Sequence, residues 1–323
     1  MIEAGAPILT DVRPIVVILV GPTAVGKTEV SLQLAERLSA EVVSLDSRLF
    51  YRGMDIGTAK PGAQERSRIP HHLIDIAEPG ETVSLAVFQG LAERAIAQII
   101  DRGRLPLLVG GTGQYVRAVA AGWTPPQVAP NSILRGELNR LAEERGAAWL
   151  HSGLAILDAR AAALIDARNL RRTVRAMEVV LTTGRPFSRQ RGDGQGRFQL
   201  ISVGLRRPRP DLYARVDARI EEMWRAGILD ETRRLMARGF DQHLPAMSAI
   251  GYSQCLRVIR GELDPEGAKA DMRRLTRAFI RRQANWFKES DRSITWFDAG
   301  NPDTIESITA FVQQSLATLR ARA

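Results

Sequence analysis

The chain has 323 residues, of which 45% are hydrophobic and 25% charged, and its net charge is +9. This composition is typical of a soluble globular protein that buries a core, and the positive charge either suits an anionic partner such as nucleic acid or serves solubility alone. The single cysteine, Cys255, excludes an intrachain disulfide and a cysteine-based zinc site, so we expect a cytoplasmic protein. No run reaches the roughly 18 apolar residues of a membrane span, and the acidic N-terminal segment 1–14 argues against a signal peptide.

Strand-like and helix-like segments alternate in the first third of the chain. In order, the predicted elements are the strand IVVILV (Ile15 to Val20), the helix Thr28 to Leu38, the strand AEVVSLDS (40–47), the helix Ser84 to Arg102 and the strand RLPLLVGG (104–111). Apolar strands that alternate with helices predict an α/β fold, in which a parallel sheet is flanked by helices on both sides.

The second part of the chain changes character at a proline-rich break, Gly122 to Asn131. Helices are predicted from there to about Thr183, and a glycine-rich link, Arg191 to Phe198, leads back to a strand, FQLISVGL. Two long helices follow, roughly Asp211 to Arg238 and Glu266 to Lys288. We therefore predict that residues 1–122 form the first part of a P-loop-type α/β core, 123–195 an inserted all-helical domain, and 196–323 the second part of the core.

GPTAVGKT (Gly21 to Thr28), called the phosphate loop below, joins the first predicted strand to the first helix. It matches the pattern G-x-x-x-x-G-K-[ST], which binds phosphate when it lies between a strand and a helix. Gly21 and Gly26 allow N–H groups to point at phosphate oxygens, and the helix adds its positive N-terminal end. Lys27 supplies a mobile charge, and the Thr28 hydroxyl can ligate Mg²⁺. The sequence therefore predicts a phosphate site here.

An acidic residue is missing from the place where nucleotide hydrolases usually carry one. Their metal-binding acid ends another apolar strand, but here the third strand ends in LLVGGTG. Asp46 instead follows the second strand, and in an open parallel sheet it should lie beside the phosphate loop. Asp46 is a candidate metal ligand or general base, with a helix cap as the alternative.

Six further segments carry a more specific pattern. They are DSRLFYRGMDIGTAKP (46–61), IPHHLIDI (69–76), LLVGGTGQY (107–115), RRTVRAMEV (171–179), SAIGYSQ (248–254) and TRAFIRRQANWF (276–287). With the phosphate loop, and in this order, they resemble the bacterial tRNA dimethylallyltransferase family from about Val17 to Trp296. The resemblance implies an enzyme that transfers a dimethylallyl group from dimethylallyl diphosphate to the exocyclic N6 amine of the adenosine 3′-adjacent to the anticodon in tRNA. Diphosphate is released.

The resemblance also implies roles for residues around the phosphate loop. The allylic diphosphate would be bound by Gly21, Pro22, Thr23, Ala24, Val25, Gly26, Lys27 and Thr28. The implied catalytic residues are Asp46 as general base, Thr112 near the reacting base, Arg215 beside the diphosphate, Lys27 and Thr28. Mg²⁺ is the implied cofactor, held by Thr28, and Arg219 is a weaker candidate than Arg215. A diphosphate in the loop would explain the missing acid, because no γ-phosphoryl group is transferred.

Two basic clusters are predicted to hold the tRNA anticodon stem-loop. Seven Arg or Lys residues accompany two acids from Asp166 to Gly192, and eight accompany three acids from Lys269 to Arg292. The tRNA contacts implied by the resemblance are Asp46, Ser47, Arg48, Leu49, Thr112, Arg135, Arg171, Arg172, Thr173, Val174, Arg175, Ser248, Ala249, Ile250, Gly251, Tyr252, Ser253, Arg277, Arg281, Arg282 and Gln283. The alternative for each arginine is a solvated helix face.

Three other functions stay open at this point. A prenyltransferase that uses free AMP or ADP is disfavoured by the helical insert and the arginine clusters. A kinase is disfavoured by the missing strand-end acid, and a non-catalytic RNA-binding ATPase module by Asp46 beside a phosphate loop. We expect tRNA and dimethylallyl diphosphate as partners, no membrane, and a monomer.

Overall fold

Most of the chain is described by the structure, a computed structural model, which covers residues 13–120, 122, 126, 128–190 and 196–321. Three predicted features lie wholly or partly outside these residues: the N-terminal segment 1–14, the break at 122–131 and the link at 191–198. The predicted domain boundaries also lie there, because residues 123 and 195 are outside the described ranges.

A six-stranded sheet organises the described chain. Its strands are β1 (Ile15–Val20), β2 (Ala40–Ser44), β3 (His71–His72), β4 (Leu105–Gly110), β5 (Gln199–Arg206) and β6 (Thr295–Asp298). The order is β3-β2-β4-β1-β5-β6, and every neighbouring pair is parallel. The predicted parallel sheet flanked by helices is therefore confirmed.

Helices make up the rest of the regular structure. They are α1 (Lys27–Leu38), α2 (Ala63–Arg68), α3 (Leu85–Asp101), α4 (Gly113–Ala120), α5 (Ser132–Arg145), α6 (Ala147–Leu157), α7 (Ala159–Leu164), α8 (Leu170–Thr183), α9 (Arg209–Arg225), α10 (Ile228–Ala237), α11 (Tyr252–Ile259), α12 (Pro265–Ala284) and α13 (Thr304–Arg320). Two short 3₁₀ turns span Phe187–Arg189 and Ala246–Ser248. Among the described helices, none combines the length and the apolar composition that crossing a membrane requires.

Successive side chains of the central strand point to opposite faces of the sheet, and helices cover both faces. On β1, Val16, Ile18 and Val20 belong to one buried cluster, whereas Val17 and Leu19 belong to another. Helices α3, α4, α10 and α11 contribute to the first cluster, and α1, α9, α12 and α13 contribute to the second. Burying a large aliphatic side chain contributes about 1.5–3 kcal/mol, so this two-sided burial fixes β1 and with it the start of the phosphate loop.

The described chain divides into two compact units. Residues 13–120 and 196–321 form the α/β unit, which contains the whole sheet. The described residues between 121 and 195 form the helical unit, which consists of α5 to α8 and the short turn after them. The helical unit has its own core, in which Leu138, Leu154 and Met177 are buried.

Some predicted elements differ from the structure. The predicted helix from Asp211 to Arg238 is two helices, α9 and α10, because Gly227 adopts a left-handed φ of 91° that interrupts the helix. The predicted helix from Glu266 to Lys288 corresponds to α12, which ends at Ala284, after which the chain turns and buries Phe287. Strands β3 and β6 are additional to the prediction, as are helices α2, α4, α11 and α13.

Candidate active site

Three loops meet at the carboxyl edge of the sheet. The phosphate loop follows β1, Gly111 and Thr112 follow β4, and Asp46 comes shortly after β2. Strands β1, β4 and β2 are neighbours, so the topology brings Lys27, Thr112 and Asp46 to one edge although they are distant in sequence. This edge is where open parallel sheets bind their ligands.

The shape of the phosphate loop depends on its two glycines. A Cβ atom at Gly21 would lie 2.7 Å from the Leu205 carbonyl oxygen, so only glycine lets the end of β1 pass this close to β5. Gly26 precedes α1 with a φ of 110°, a conformation that side-chain-bearing residues rarely adopt. Because α1 begins at Lys27, the positive end of the helix dipole points into the loop.

The Lys27 amine is folded back onto the phosphate loop. Its Nζ donates to the carbonyl oxygens of Gly21 at 3.0 Å and Pro22 at 2.8 Å. Burial lowers the pKa of Lys27 to about 8; the negative charge of Asp46 opposes this shift, and the positive charge of Arg219 adds to it. Among the described residues, no carboxylate contacts this half-buried ammonium, so an anionic ligand would stabilise it strongly.

A first cavity, of about 480 Å³, opens beside the phosphate loop. Lys27, Thr28 and Asp46 line it, as do two arginines of α9, Arg215 and Arg219. The Arg215 Nε donates to the Ala24 carbonyl oxygen at 2.7 Å, which places this exposed guanidinium at the rim of the loop. The first cavity is therefore bordered by three cationic side chains.

A second cavity, of about 380 Å³, also borders Asp46. Thr112, Phe279 and Arg282 line it together with Ser47, Arg48 and residues 248–250. The residues that line both cavities are Thr23, Ala24, Asp46, Thr58 and Arg219. The two spaces therefore meet at a carboxylate and an arginine, and burial lowers the pKa of Arg219.

Asp46 is held in place by its own turn. Its Oδ1 accepts the Arg48 N–H at 3.0 Å, and its backbone N–H donates to the Ser44 Oγ at 3.3 Å. Among the described residues, no hydrogen bond reaches Oδ2. The alternative that Asp46 is a helix cap is wrong, because residues 47–50 form a turn and no helix. One carboxylate oxygen stabilises this turn, and the other is left for a ligand.

Known proteins with similar sequences identify the family of this chain. A family model described as IPP transferase matches residues 49–290, and another described as isopentenyl transferase matches residues 14–74. The tRNA dimethylallyltransferase of Roseiflexus sp. (strain RS-1) is 50% identical over 277 residues, which are 86% of this chain and 91% of the relative. The tRNA dimethylallyltransferase of Moorella thermoacetica is 44% identical over 302 residues, covering 91% and 92%. This chain belongs to the tRNA dimethylallyltransferase family.

Solved structures of the family have the same fold. The full-length tRNA isopentenylpyrophosphate transferase of Bacillus halodurans has a TM-score of 0.72 at 39% identity, with 96% of this chain and 99% of that chain covered. A eukaryotic dimethylallyltransferase, described as acting on tRNA, has a TM-score of 0.77 at 25% identity, covering 92% and 77%. The predicted family, the predicted fold and the prediction of a prenyltransferase enzyme are confirmed.

Several tRNA contacts implied by the family resemblance lie around the second cavity of the α/β unit. Asp46, Ser47, Arg48 and residues 248–250 line this cavity, whereas Leu49 lines the first. Arg48 also donates to the Pro245 carbonyl oxygen at 3.2 Å, which joins these two segments. Gly251 and Ser253 flank Tyr252 at the start of α11, and Ser253 is half-buried.

Tyr252 is fully buried and serves the architecture of the site. Its hydroxyl donates to Glu231 Oε1 at 2.6 Å and accepts the Gly57 N–H at 3.2 Å. Burial, followed by the Glu231 charge, raises the pKa of Tyr252. Gly57 has to be glycine here, because a Cβ atom would lie 2.5 Å from the Tyr252 ring. The side chain therefore holds the loop that carries Thr58 against the core.

Glu231 is a site residue that sequence reasoning missed. This buried carboxylate of α10 accepts the N–H groups of Asp55, Ile56 and Gly57 at 3.0–3.3 Å as well as the Tyr252 hydroxyl. It fixes the segment that leads to Thr58, which lines both cavities. No local pattern could have found it, because Glu231 is more than 170 residues away from the N–H groups that it accepts.

Four predicted tRNA contacts lie near the end of α12, and their side chains differ in exposure. Arg277 is half-buried and donates to both carboxylate oxygens of Asp217 on α9, at 3.0 and 2.7 Å. Arg281 and Arg282 are exposed, and Arg282 lines the second cavity. Gln283 is only 5% exposed, and its amide bonds to the phosphate loop and to Gly111.

The predicted contacts of the helical unit also divide by burial. Arg135 binds both oxygens of the Glu178 carboxylate, at 2.8 and 2.9 Å, and Arg175 donates to the same carboxylate. Arg171 and Arg172 are exposed at the start of α8. The side chains of the remaining two predicted contacts are buried in this unit: Thr173 and Val174.

Glu178 is the second residue that the sequence did not reveal. Its side chain is fully buried. Burial raises the pKa of Glu178, but hydrogen bonds from Arg135, the Asn131 N–H and Arg175 outweigh burial and lower this pKa to about 2. The carboxylate therefore stays ionised and organises the two arginines.

Proposed function

We propose that this family member transfers a dimethylallyl group from dimethylallyl diphosphate to the N6 amine of the adenosine 3′-adjacent to the anticodon of tRNA. The observation that carries the proposal is the position of Asp46, which lines both the cavity beside the phosphate loop and the cavity beside Thr112. A donor bound in the first cavity and an acceptor base bound in the second would both border this one carboxylate.

The donor side of the reaction needs positive charge. When the allylic carbon–oxygen bond breaks, the electron pair stays on the leaving diphosphate, whose negative charge grows. N–H groups at the start of α1 have no intrahelical partner and are available to its oxygens. Lys27 and Arg215 lie around the same cavity and would neutralise the diphosphate. The half-buried Lys27 ammonium would exchange its two contacts with loop carbonyl oxygens for contacts with the diphosphate oxygens.

The acceptor side needs a base, because an aryl amine is a weak nucleophile. As the N6 nitrogen forms its bond to the allylic carbon, one of its protons has to leave. The Asp46 carboxylate would take this proton, and its turn with Arg48 fixes the direction in which it points. Arg219 borders both cavities and would balance the charge of the carboxylate before the transfer.

The residues of the first cavity suit Mg²⁺, which prefers oxygen ligands and keeps several waters. Among the described residues, no group of three His, Cys, Asp or Glu side chains could cage a metal ion. Thr28 would therefore hold Mg²⁺ together with oxygens of the bound diphosphate. When bound, the ion supplies further charge neutralisation to the leaving group.

The acceptor adenosine has to leave its base stack to reach the second cavity. We propose that exposed arginines contact the tRNA: Arg171 and Arg172 on α8 of the helical unit, and Arg281 and Arg282 on α12 of the α/β unit. Thr173, Val174 and Tyr252 are buried, and Arg135, Arg175 and Arg277 are engaged by carboxylates. This narrows the set of direct contacts implied by the family resemblance.

A labelling assay tests the proposed reaction. The chain is mixed with Mg²⁺, labelled dimethylallyl diphosphate and an anticodon stem-loop that has consecutive adenosines, and AMP and ATP are offered in parallel. We expect label on the RNA and none on AMP. Label on AMP alone, or ATP turnover without label transfer, would replace the proposed function by one of its alternatives.

Two substitutions at Asp46 separate its role in the turn from its proposed role as base. Asp46→Asn still accepts the Arg48 N–H but cannot take a proton, so we expect single-turnover transfer to fall about 10²–10⁴-fold while the affinity for RNA is kept. Asp46→Ala also loses the turn. Asp101→Asn, an exposed residue at the end of α3, is the control. A transfer rate of Asp46→Asn equal to wild type would remove Asp46 as the base.

A further inference from the structure

We propose that Gln283 is a positioning residue that couples RNA docking on α12 to the shape of the phosphate loop. The inference rests on the function proposed above, and it assigns Gln283 a role other than RNA contact. The Gln283 Oε1 accepts the Thr23 N–H at 2.8 Å, and its Nε2 donates to the Gly111 carbonyl oxygen at 3.0 Å. One side chain thereby links the end of α12 to the phosphate loop and to the turn after β4.

The orientation of this amide is fixed by its partners. A backbone N–H can only donate and a carbonyl oxygen can only accept, so the amide oxygen must face Thr23 and the amide nitrogen Gly111. The Thr23 N–H is consequently turned away from any diphosphate and towards α12. Thr23 would contribute to the diphosphate site through the shape it gives the loop and not through this N–H group.

Close packing leaves the end of α12 little freedom to move independently. A Cβ atom at Gly111 would lie 2.3 Å from Gln283 Nε2 and 2.9 Å from the Gly21 carbonyl oxygen. A Cβ atom at Gly113 would lie 2.3 Å from the Trp286 ring. Two glycines therefore let the end of α12 seat directly on the turn after β4, and a shift of this helix end would pull on the phosphate loop.

The residues next to Gln283 are those placed to sense RNA. Arg281 and Arg282 precede it on α12, both are exposed, and Arg282 lines the second cavity. Thr23, which Gln283 holds, lines both cavities beside Asp46. RNA that orders the end of α12 would therefore also order the phosphate loop. Linkage requires the reverse as well, so diphosphate should tighten RNA binding by the same factor.

Gln283→Met tests the inference because methionine fills a similar volume without either hydrogen bond. We would measure the affinity for inorganic diphosphate with Mg²⁺ by calorimetry, with and without the anticodon stem-loop. Because methionine leaves the Thr23 N–H and the Gly111 carbonyl without their partner, we expect diphosphate to bind roughly tenfold more weakly without RNA. We also expect the mutual tightening of the two ligands to fall to a factor near one. Gln313→Met, on the exposed face of α13, is the matched control.

Two further measurements keep the test decisive. Hydrogen exchange should become faster at the Thr23 amide in Gln283→Met and stay unchanged in the control. Gln283→Glu retains the acceptor for Thr23 and loses the donor to Gly111. If Gln283→Met fails to fold, the readout for this variant is the mutual tightening of RNA and diphosphate, which should fall towards one; its new negative charge weakens diphosphate binding whether or not RNA is present. Wild-type diphosphate affinity, coupling and Thr23 exchange in a folded Gln283 variant would overturn the inference. These binding readouts need no transfer reaction, so an inactive wild-type chain would count against the proposed function alone.

Discussion

Helices α8 and α12 carry the two arginine-rich segments of the chain, and they use their arginines differently. On α8, Arg175 joins Arg135 of α5 on the Glu178 carboxylate, whose side chain has no exposed surface. On α12, Arg277 pairs with Asp217 of α9, whose side chain is 37% exposed. The first arrangement is a buried ionic centre of the helical unit, and the second is a partly solvated contact between two helices.

The comparison shows that the number of arginines in a segment overstates the number that are free to contact RNA. In both segments, some arginines form ion pairs with acidic side chains. Two neighbouring arginines in each segment are exposed and form no ion pair with any described residue: Arg171 and Arg172 on α8, and Arg281 and Arg282 on α12. What distinguishes the segments is the cost of breaking their ion pairs. That cost should be large where the acid is buried and small where it is solvated.

The largest expected effect is that of Glu178→Gln. Removing one partner of a buried ion pair leaves Arg135 and Arg175 without their counter-charge, so we expect a loss of about 3 kcal/mol in the free energy of unfolding. Chemical denaturation followed by circular dichroism measures it. Glu137→Gln on α5, whose partner Arg140 is exposed, should cost less than about 1 kcal/mol. Equal losses in the two variants would show that burial does not set the cost.

The pH dependence of the free energy of unfolding tests whether Glu178 stabilises the fold in its ionised form. The folded-state pKa of Glu178 is lowered from its usual 4.5 to about 2, so its stabilising contribution is complete above 4.5 and is lost as the pH falls towards 2. The stability difference between wild type and Glu178→Gln should therefore shrink over this window. Denaturation curves at pH 6, 4 and 3 would test this. A difference that is constant over that range would contradict the lowered pKa.

Substituting the exposed arginines should weaken RNA binding and leave the free energy of unfolding almost unchanged. We expect the double variants Arg171→Ala/Arg172→Ala and Arg281→Ala/Arg282→Ala each to bind an anticodon stem-loop about tenfold more weakly. For each lost phosphate contact, the slope of log affinity against log salt should fall by about 0.7. Fluorescence anisotropy at several salt concentrations gives both values, with Arg140→Ala as the control. Unchanged affinity and slope would place the RNA elsewhere.

The smallest expected effect is that of Asp217→Asn. Because this acid is partly solvated, the loss of its pair with Arg277 should cost about 0.5 kcal/mol in the free energy of unfolding. Freeing Arg277 should leave RNA affinity equal or slightly higher. A loss of more than about 2 kcal/mol would mean that the α9–α12 contact resembles the buried centre of α8 after all.

Much of the sheet could be predicted from the sequence because its strands are apolar and bounded by turn residues. IVVILV, AEVVS, LPLLV and QLISVG all form strands where periodicity placed them. The edge strands β3 and β6 have only two and four residues, too few to produce a pattern. The division between α9 and α10 depends on the left-handed conformation of Gly227, and a single glycine within a helical pattern does not determine that conformation.

The site was predictable where its residues belong to local motifs and unpredictable where they depend on distant partners. The phosphate loop, Asp46 and Thr112 follow neighbouring strands, so strand order alone brings them together. Glu231 and the structural role of Gln283 depend on backbone groups more than 170 residues away. No spacing rule reports such contacts, and burial of a polar side chain becomes visible only in the fold.

The most direct measurement of the central claim is a crystal structure of this chain with Mg²⁺, an anticodon stem-loop and a thiodiphosphate analogue of the donor that does not react. We predict the diphosphate against Lys27 and the start of α1, and an extruded adenosine beside Thr112 with its N6 about 3 Å from the Asp46 carboxylate. A diphosphate bound away from the phosphate loop, or an adenosine that stays stacked in the RNA far from Asp46, would contradict the account.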